Sequence, residues 1–214
     1  MKKMSTVYEM NRDTGLVFDN VRPENQWVVD GEGVATLKFD GTACLYFQNK
    51  LWKRFDRKLS KQGENLRRKQ GINFVPTDEM FRKLPEGAIP CIPTYDPVTF
   101  HFPHWVPVTD GVPEDVYHLE GLKNFDSVFK EGQTYELVGP KIGKNHYGLD
   151  KHELWEHGSV QIEVKDRSFE GLKKLLIEMN EEGLVFHHSD GRMAKIRRGD
   201  FSTNYHLDWK NCIN

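Results

Sequence analysis

Apolar and polar residues alternate with a period of two over residues 34–39, 43–47, 51–55, 133–138, 159–164, 184–188 and 193–197. Period two places side chains i and i+2 on one face, so each stretch predicts a β-strand and sheet dominates the expected core. One segment has helical spacing instead. Ser168 stands as an N-cap before Leu172, Leu175, Leu176 and Met179, the stripe of a helix lying on a sheet. Between the last two strands, Ser189-Asp190-Gly191 is a tight-turn signal, which predicts that 184–188 and 193–197 are antiparallel neighbours. Residues 85–113 hold seven prolines and predict an ordered but irregular insertion.

Length changes little in this picture. A chain of 214 residues supports one sizeable core, and no repeat, low-complexity tract or linker divides it, so residues 1–214 are expected to form a single domain. A hydrophobic fraction of 37% and an aromatic fraction of 12% exclude disorder as the default. No run approaches the roughly 20 apolar residues that span a bilayer, and the start, MKKMSTVYEMNRD, turns polar too early for a signal peptide. Cys44, Cys91 and Cys212 are few, odd in number and far apart, which fits a reducing compartment. A cytoplasmic monomer that does not engage membranes is the expectation.

Charge adds a local feature. The formal net charge is -2, which excludes coating nucleic acid by overall positive charge. Yet residues 50–69 carry Lys50, Lys53, Arg54, Arg57, Lys58, Lys61, Arg67, Arg68 and Lys69 against Asp56 and Glu64, a local balance of +7. Two readings stand side by side: a solvated face, or a surface that meets phosphates.

The candidate chemistry starts in Ala35-Thr36-Leu37-Lys38-Phe39-Asp40-Gly41-Thr42, where Lys38 and Asp40 share a strand face before Gly41. A Lys38 to Asp40 or Lys38 to Glu ion pair would account for it alone. Two further segments accompany it: Glu182-Gly183-Leu184-Val185-Phe186 after the helix, and Met193-Ala194-Lys195-Ile196-Arg197 after the turn. Lys195 and Arg197 share a face by the same period. A half-buried face with two cations needs anions, and Glu182 cannot neutralise both; a bound phosphate would.

In this order, the lysine motif, a basic strand, a strand with a central Glu, EGLVF and KIR resemble the motifs of the covalent nucleotidyltransferases, the superfamily of polynucleotide ligases and mRNA capping enzymes. A closer resemblance is to the vertebrate-type RNA ligase 1 family of 5′-to-3′ RNA ligases. Its matching blocks are ATLKFDGTAC, LWKRFDRK, HFPHWVPV, TYELVGPKIGKNHYGL, HGSVQI and EGLVFHHSDGRMAKIRR, spread over residues 35–198. The resemblance implies an α+β nucleotidyltransferase domain of ligase type, with antiparallel sheets flanked by helices. It makes Lys38 the nucleophile on the α-phosphate of ATP. It places Leu37, Asp40, Gly41, Arg54, Arg57, Glu136, Lys195 and Arg197 around the nucleotide. Glu182, with Asp40, would hold Mg²⁺ or Mn²⁺, hard cations that suit carboxylate oxygens. Arg197 departs from the second lysine of many ligases. The implied partner is RNA with 5′-phosphate and 3′-hydroxyl ends.

The chemistry accounts for these residue types. A free lysine side chain has a pKa of about 10.4, so an amine nucleophile needs neighbouring cations or a metal to favour its neutral form. The same groups meet the charge that develops on the α-phosphate. Rival readings are another covalent nucleotidyltransferase, a DNA ligase or a capping guanylyltransferase, and a catalytically silent nucleotide- or RNA-binding module. The first two append an oligonucleotide-binding-fold domain after the last motif, and only 17 residues follow Arg197 here. Intact Lys38, Glu182 and Lys195 count against the third. Cys91, His101 and His104 lack a fourth ligand for a zinc site. Tyr147 and Phe186 are candidates for stacking on adenine, and His187 and His188 for a supporting role beside Glu182.

Overall fold

A computed structural model describes residues 4–201; Cys212 and most of the segment beyond Arg197 lie outside the described residues. The fold is mixed α+β with antiparallel sheets and a few helices. In chain order the strands and helices are β1 (Ser5–Thr6), β2 (Tyr8–Met10), β3 (Val17–Val21), α1 (Gln26–Val29), β4 (Val34–Lys38), β5 (Thr42–Phe47), β6 (Lys50–Arg57), α2 (Lys61–Gln70), β7 (Ile89–Pro90), β8 (Phe102–Pro107), α3 (Val116–Asn124), β9 (Thr134–Val138), β10 (Glu153–Glu156), β11 (Gln161–Ile162), α4 (Phe169–Glu178), β12 (Gly183–His187) and β13 (Met193–Arg197). They gather into two compact units. One comprises Gly41–Leu154; the other comprises the residues up to Asp40 and those from Trp155 onward.

The second unit holds a sheet in the order β1-β13-β12-β4-β11, antiparallel except where β1 runs parallel to β13. Strand alternation sorts its residues. Ala35, Leu184, Phe186, Ala194 and Ile196 point to one face and are almost wholly buried, under Leu172 and Leu176 of α4. Each fully buried leucine of this kind contributes about 1.5–3 kcal/mol. Ser168 caps α4, its hydroxyl accepting from the Gly171 amide at 3.1 Å. The turn at Ser189-Asp190-Gly191 joins antiparallel β12 and β13, with Gly191 at φ 89°. The strand predicted over 159–164 shrinks to two residues, because Ser159 is drawn into a turn by Glu156, whose carbonyl accepts its hydroxyl at 2.8 Å.

The first unit holds a six-stranded antiparallel sheet, β10-β9-β5-β6-β8-β7. Tyr135 and Leu137 are fully buried in its main core with Cys44, Leu51 and Leu154, and Leu59, Phe74 and Phe81 form a smaller cluster. Here the reading of residues 85–113 as irregular is corrected: β8 is a regular strand paired with β6 over six residues. The Pro103 carbonyl accepts from Cys91 beside β7, so the missing amide of that proline faces a two-residue neighbour and leaves the β6 ladder intact. The charged run 61–70 is a helix, capped by Ser60 on the Gly63 amide at 3.1 Å and stopped by Gly71 at φ 56°. No described helix is long and apolar enough to cross a membrane.

Candidate active site around Lys38

The outward face of the β4–β12–β13 ladder carries the charged residues. Gly183 is opposite Lys38 on one side and Arg197 on the other; Val185 is opposite Thr36 and Lys195; His187 is opposite Val34 and Met193. All of these share one face by strand alternation. The middle position of the Lys38-Gly183-Arg197 row has no side chain. A Cβ there would run into the Ile196 carbonyl and stand 2.7 Å from the Arg197 Cα, so the close approach of β13 demands glycine. Three cations, Lys38, Lys195 and Arg197, thus share this face.

Glu182 precedes β12, and its carboxylate closes an ion pair with the Lys38 ammonium. Both side chains are about four-fifths buried, at 20% and 17% exposure. Burial raises the Glu182 pKa, the nearby charge of Asp40 adds to the rise, and Lys38 opposes it. Burial lowers Lys195 to about 8, with the charges of Arg197 and Lys38 acting in the same direction. Arg197 donates to Asp200 Oδ1 from Nε at 3.0 Å and from Nη2 at 2.7 Å, while Oδ2 accepts its backbone amide at 2.8 Å. Asp200, 1% exposed, fixes this guanidinium and was missed from sequence, although an acid three residues after the strand was its signal.

One further pair on this face was not foreseen: Thr36 Oγ1 and His187 Nε2 lie 2.9 Å apart. Burial lowers the His187 pKa, which favours the neutral ring. The structure places three other sequence candidates as follows. Phe186 is fully buried on the core face beneath the Arg167 guanidinium, 5.2 Å from its centroid, and does not present its ring for stacking. Leu37 points its side chain into the same core and donates its amide to Val160 at 3.0 Å. His188 reaches Glu32 at 2.7 Å and Asp190 at 2.8 Å, facing away from Glu182 at the turn.

The remaining candidates lie in the first unit. Gly41 stands where a Cβ would meet the Leu137 carbonyl and Glu136 Cγ at 2.9 Å. Glu136 is buried on β9 opposite Ala43. Arg54 donates from Nε to Asp56 at 2.9 Å. Arg57 is 4% exposed; it donates to Asp78 Oδ2 at 3.0 Å and to the Arg82 carbonyl at 2.8 Å, and lies over the Phe81 ring. Its guanidinium is occupied in fastening the 78–82 segment, which opposes the nucleotide role implied for it. Tyr147 packs edge-on against His146. No group of three or more His, Cys, Asp or Glu side chains among the described residues has the geometry of a metal site.

Known proteins give the wider frame. The chain is 32% identical over 133 residues to RNA ligase 1 of Pongo abelii, covering 46% of this chain and 40% of that protein. It is 30% identical over 161 residues to RNA ligase 1 of Mus musculus, covering 57% of this chain and 49% of that protein. The match therefore spans less than half the length of either relative. No protein-family model matches the chain. These similarities amount to a distant RNA-ligase-like relationship.

Proposed function

We propose that this chain is an ATP-dependent RNA ligase of the covalent nucleotidyltransferase fold, and that Lys38 forms a lysyl-AMP intermediate. The observation that carries the reading is the gathering of Lys38, Lys195 and Arg197 on one sheet face, with Glu182 at the Lys38 ammonium. Fixed cations on one face are what a transferred phosphoryl group requires, since such transfer depends on positioning and on neutralising spread charge. The similarity to RNA ligase 1 proteins supports RNA as the substrate.

In this mechanism the neutral Lys38 Nζ attacks the α-phosphorus of ATP. A nitrogen–phosphorus bond forms, the bond to the bridging oxygen breaks, and pyrophosphate leaves. An oxygen of an RNA 5′-phosphate then attacks the same phosphorus and releases the amine. Finally the 3′-hydroxyl attacks the 5′-phosphate and AMP departs. Lys195 and Arg197 hold the phosphate oxygens throughout, and Asp200 keeps Arg197 in place. Leu37 contributes at most its backbone; for Gly41, Arg54 and Glu136 a nucleotide role is implied by the resemblance alone.

A divalent cation fits the donor set. Glu182 is a desolvated carboxylate with Asp40's charge nearby, an arrangement that a hard cation relieves, and Mg²⁺ needs only one or two carboxylates when phosphates complete its shell. Glu182 and Asp40 would hold Mg²⁺ or Mn²⁺, which supplies charge neutralisation at the phosphates. The deciding experiment is incubation with α-labelled ATP, GTP, CTP or UTP and a divalent metal. Label should transfer from ATP to the protein, survive alkali, and be released by acid. Label that persists in Lys38→Ala refutes the assignment.

A further inference from the structure

Of the nine cations between Lys50 and Lys69, the fold consumes several. Lys53 is paired with buried Asp115, Arg54 with Asp56, Arg57 with Asp78, and Arg67 with Glu64 at 3.5 Å while its guanidinium lies over Phe100. Lys50 stays exposed at the start of β6, and six more cations stay exposed around α2: Lys58, Lys61, Arg68 and Lys69, joined by Arg82 and Lys83 from the following segment. Among the described residues, none of these six has an ion-pair partner.

Helix stability explains only part of this set. Cations in the last turn of α2, Arg68 and Lys69, complement the helix dipole. Lys61 sits in the first turn, where a cation opposes the helix dipole. Lys58 lies across from Arg82: their segments are joined at the Leu59–Phe81 bridge, and the Arg82 amide donates to the Lys58 carbonyl at 2.9 Å. Like charges placed opposite each other destabilise an antiparallel pair. Local rules broken together, on a surface with no internal return, mark a place kept for an external anion.

We infer that this surface binds the phosphodiester backbone of RNA, the choice of nucleic acid resting on the ligase reading above. Lys61, Arg68 and Lys69 fall on one face of α2 at i, i+7 and i+8, spread over roughly 12 Å of helix axis. That length is enough to meet more than one phosphate of a polynucleotide strand. A lipid surface suits it less. The apolar side of α2, Leu66, packs inward against Leu59, Phe74 and Phe81, so the exposed side offers charge without the broad apolar stripe that interfacial helices insert. The contacts are to backbone and carry no sequence preference.

The test uses the full chain and a fluorescein-labelled single-stranded RNA with a blocked 3′ end, titrated by anisotropy over a range of salt. Binding should weaken with salt, and the triple variant Lys61→Glu, Arg68→Glu, Lys69→Glu should flatten the slope of log affinity against log salt by about two to three. A control variant reverses Lys151, Lys165 and Lys174 to glutamate, the same change in net charge elsewhere, and should bind RNA as the wild type does. Equal losses in both variants, or unchanged RNA binding in the α2 variant, overturn the surface while leaving ATP labelling of Lys38 free to stand. Loss of RNA binding in a protein that fails to take label upholds the surface and sinks the ligase reading instead. Co-sedimentation with phosphatidylserine vesicles that only the α2 variant loses, with RNA binding intact, assigns the patch to lipid and refutes the inference.

Discussion

Lys38 and Glu182, 144 residues apart in the chain, close an ion pair at the end of the β4–β12 ladder. Gly183 is the ladder partner of Lys38, and Glu182 stands just before that strand begins, so the register brings the two side chains within reach of each other. The carboxylate proposed to hold a metal is therefore also the ion-pair partner of Lys38.

Exchanging that carboxylate should separate folding from chemistry. Glu182→Gln keeps an acceptor beside Lys38 and should leave the thermal midpoint within a few degrees of wild type, by circular dichroism. Transfer of label from ATP should fall at least ~10²-fold in both Glu182→Gln and Glu182→Ala. Wild-type labelling with Mg²⁺ in either variant would remove Glu182 from the mechanism.

The proton on Lys195 predicts a pH dependence. Its pKa of about 8 lies below the ordinary value, so the ammonium is charged below pH 8 and neutral above it. A bound phosphate favours the charged form. Affinity for ATP, measured calorimetrically without divalent metal, should be flat below pH 8 and decline above it, by up to about tenfold per pH unit. Lys195→Arg should extend the flat range, since a guanidinium stays protonated. Equal affinities of the wild type at pH 7 and 9.5 would exclude Lys195 as an anion ligand.

Arg57 should behave as a structural residue. Truncating it to alanine strands the Arg82 carbonyl, removes the partner of the largely exposed Asp78 carboxylate and empties the space over the Phe81 ring, and should cost about 1–3 kcal/mol in urea denaturation. Arg57→Lys should recover little, because a point charge cannot serve both acceptors and the Phe81 ring together. Full stability with lost ATP binding would return Arg57 to the nucleotide.

The core face offers a contrast. Leu172→Ala should cost about 2–5 kcal/mol, the loss typical of a fully buried leucine, with labelling of Lys38 per folded molecule unchanged. A labelling defect as large as that of Glu182→Ala would mean that α4 does more than cover the sheet.

Much of this was legible in the sequence where periodicity was clean. β13 occupies the predicted residues 193–197, and β12 and β9 fall within one residue of their predicted starts. The shared face of Lys195 and Arg197 followed from period two alone. α2 was hidden because its inward side is little more than Gly63 and Leu66, too narrow a stripe to stand out from nine cations. β8 was hidden by Pro103 and Pro107, which are tolerated only because of where the amide positions point. The Lys38–Glu182 pair, and the Thr36–His187 pair one rung further along, depend on a register between distant segments that no local pattern encodes.

The pairing of β4 with β12 also dictates an order of events during synthesis. Thr36 and Val185, whose hydroxyl and carbonyl meet, are 149 residues apart. At a translation rate of roughly 5–20 residues per second, β4 emerges some 7–30 s before its central partner. Through that interval the strand bearing Lys38 has open backbone groups on the β12 side, while β5, β6, β8 and β9 have each other. Nascent chains halted before residue 183 should thus protect the Gly41–Leu154 sheet from amide exchange and leave residues 34–38 unprotected, so the strand that carries Lys38 is the one a chaperone has longest to meet.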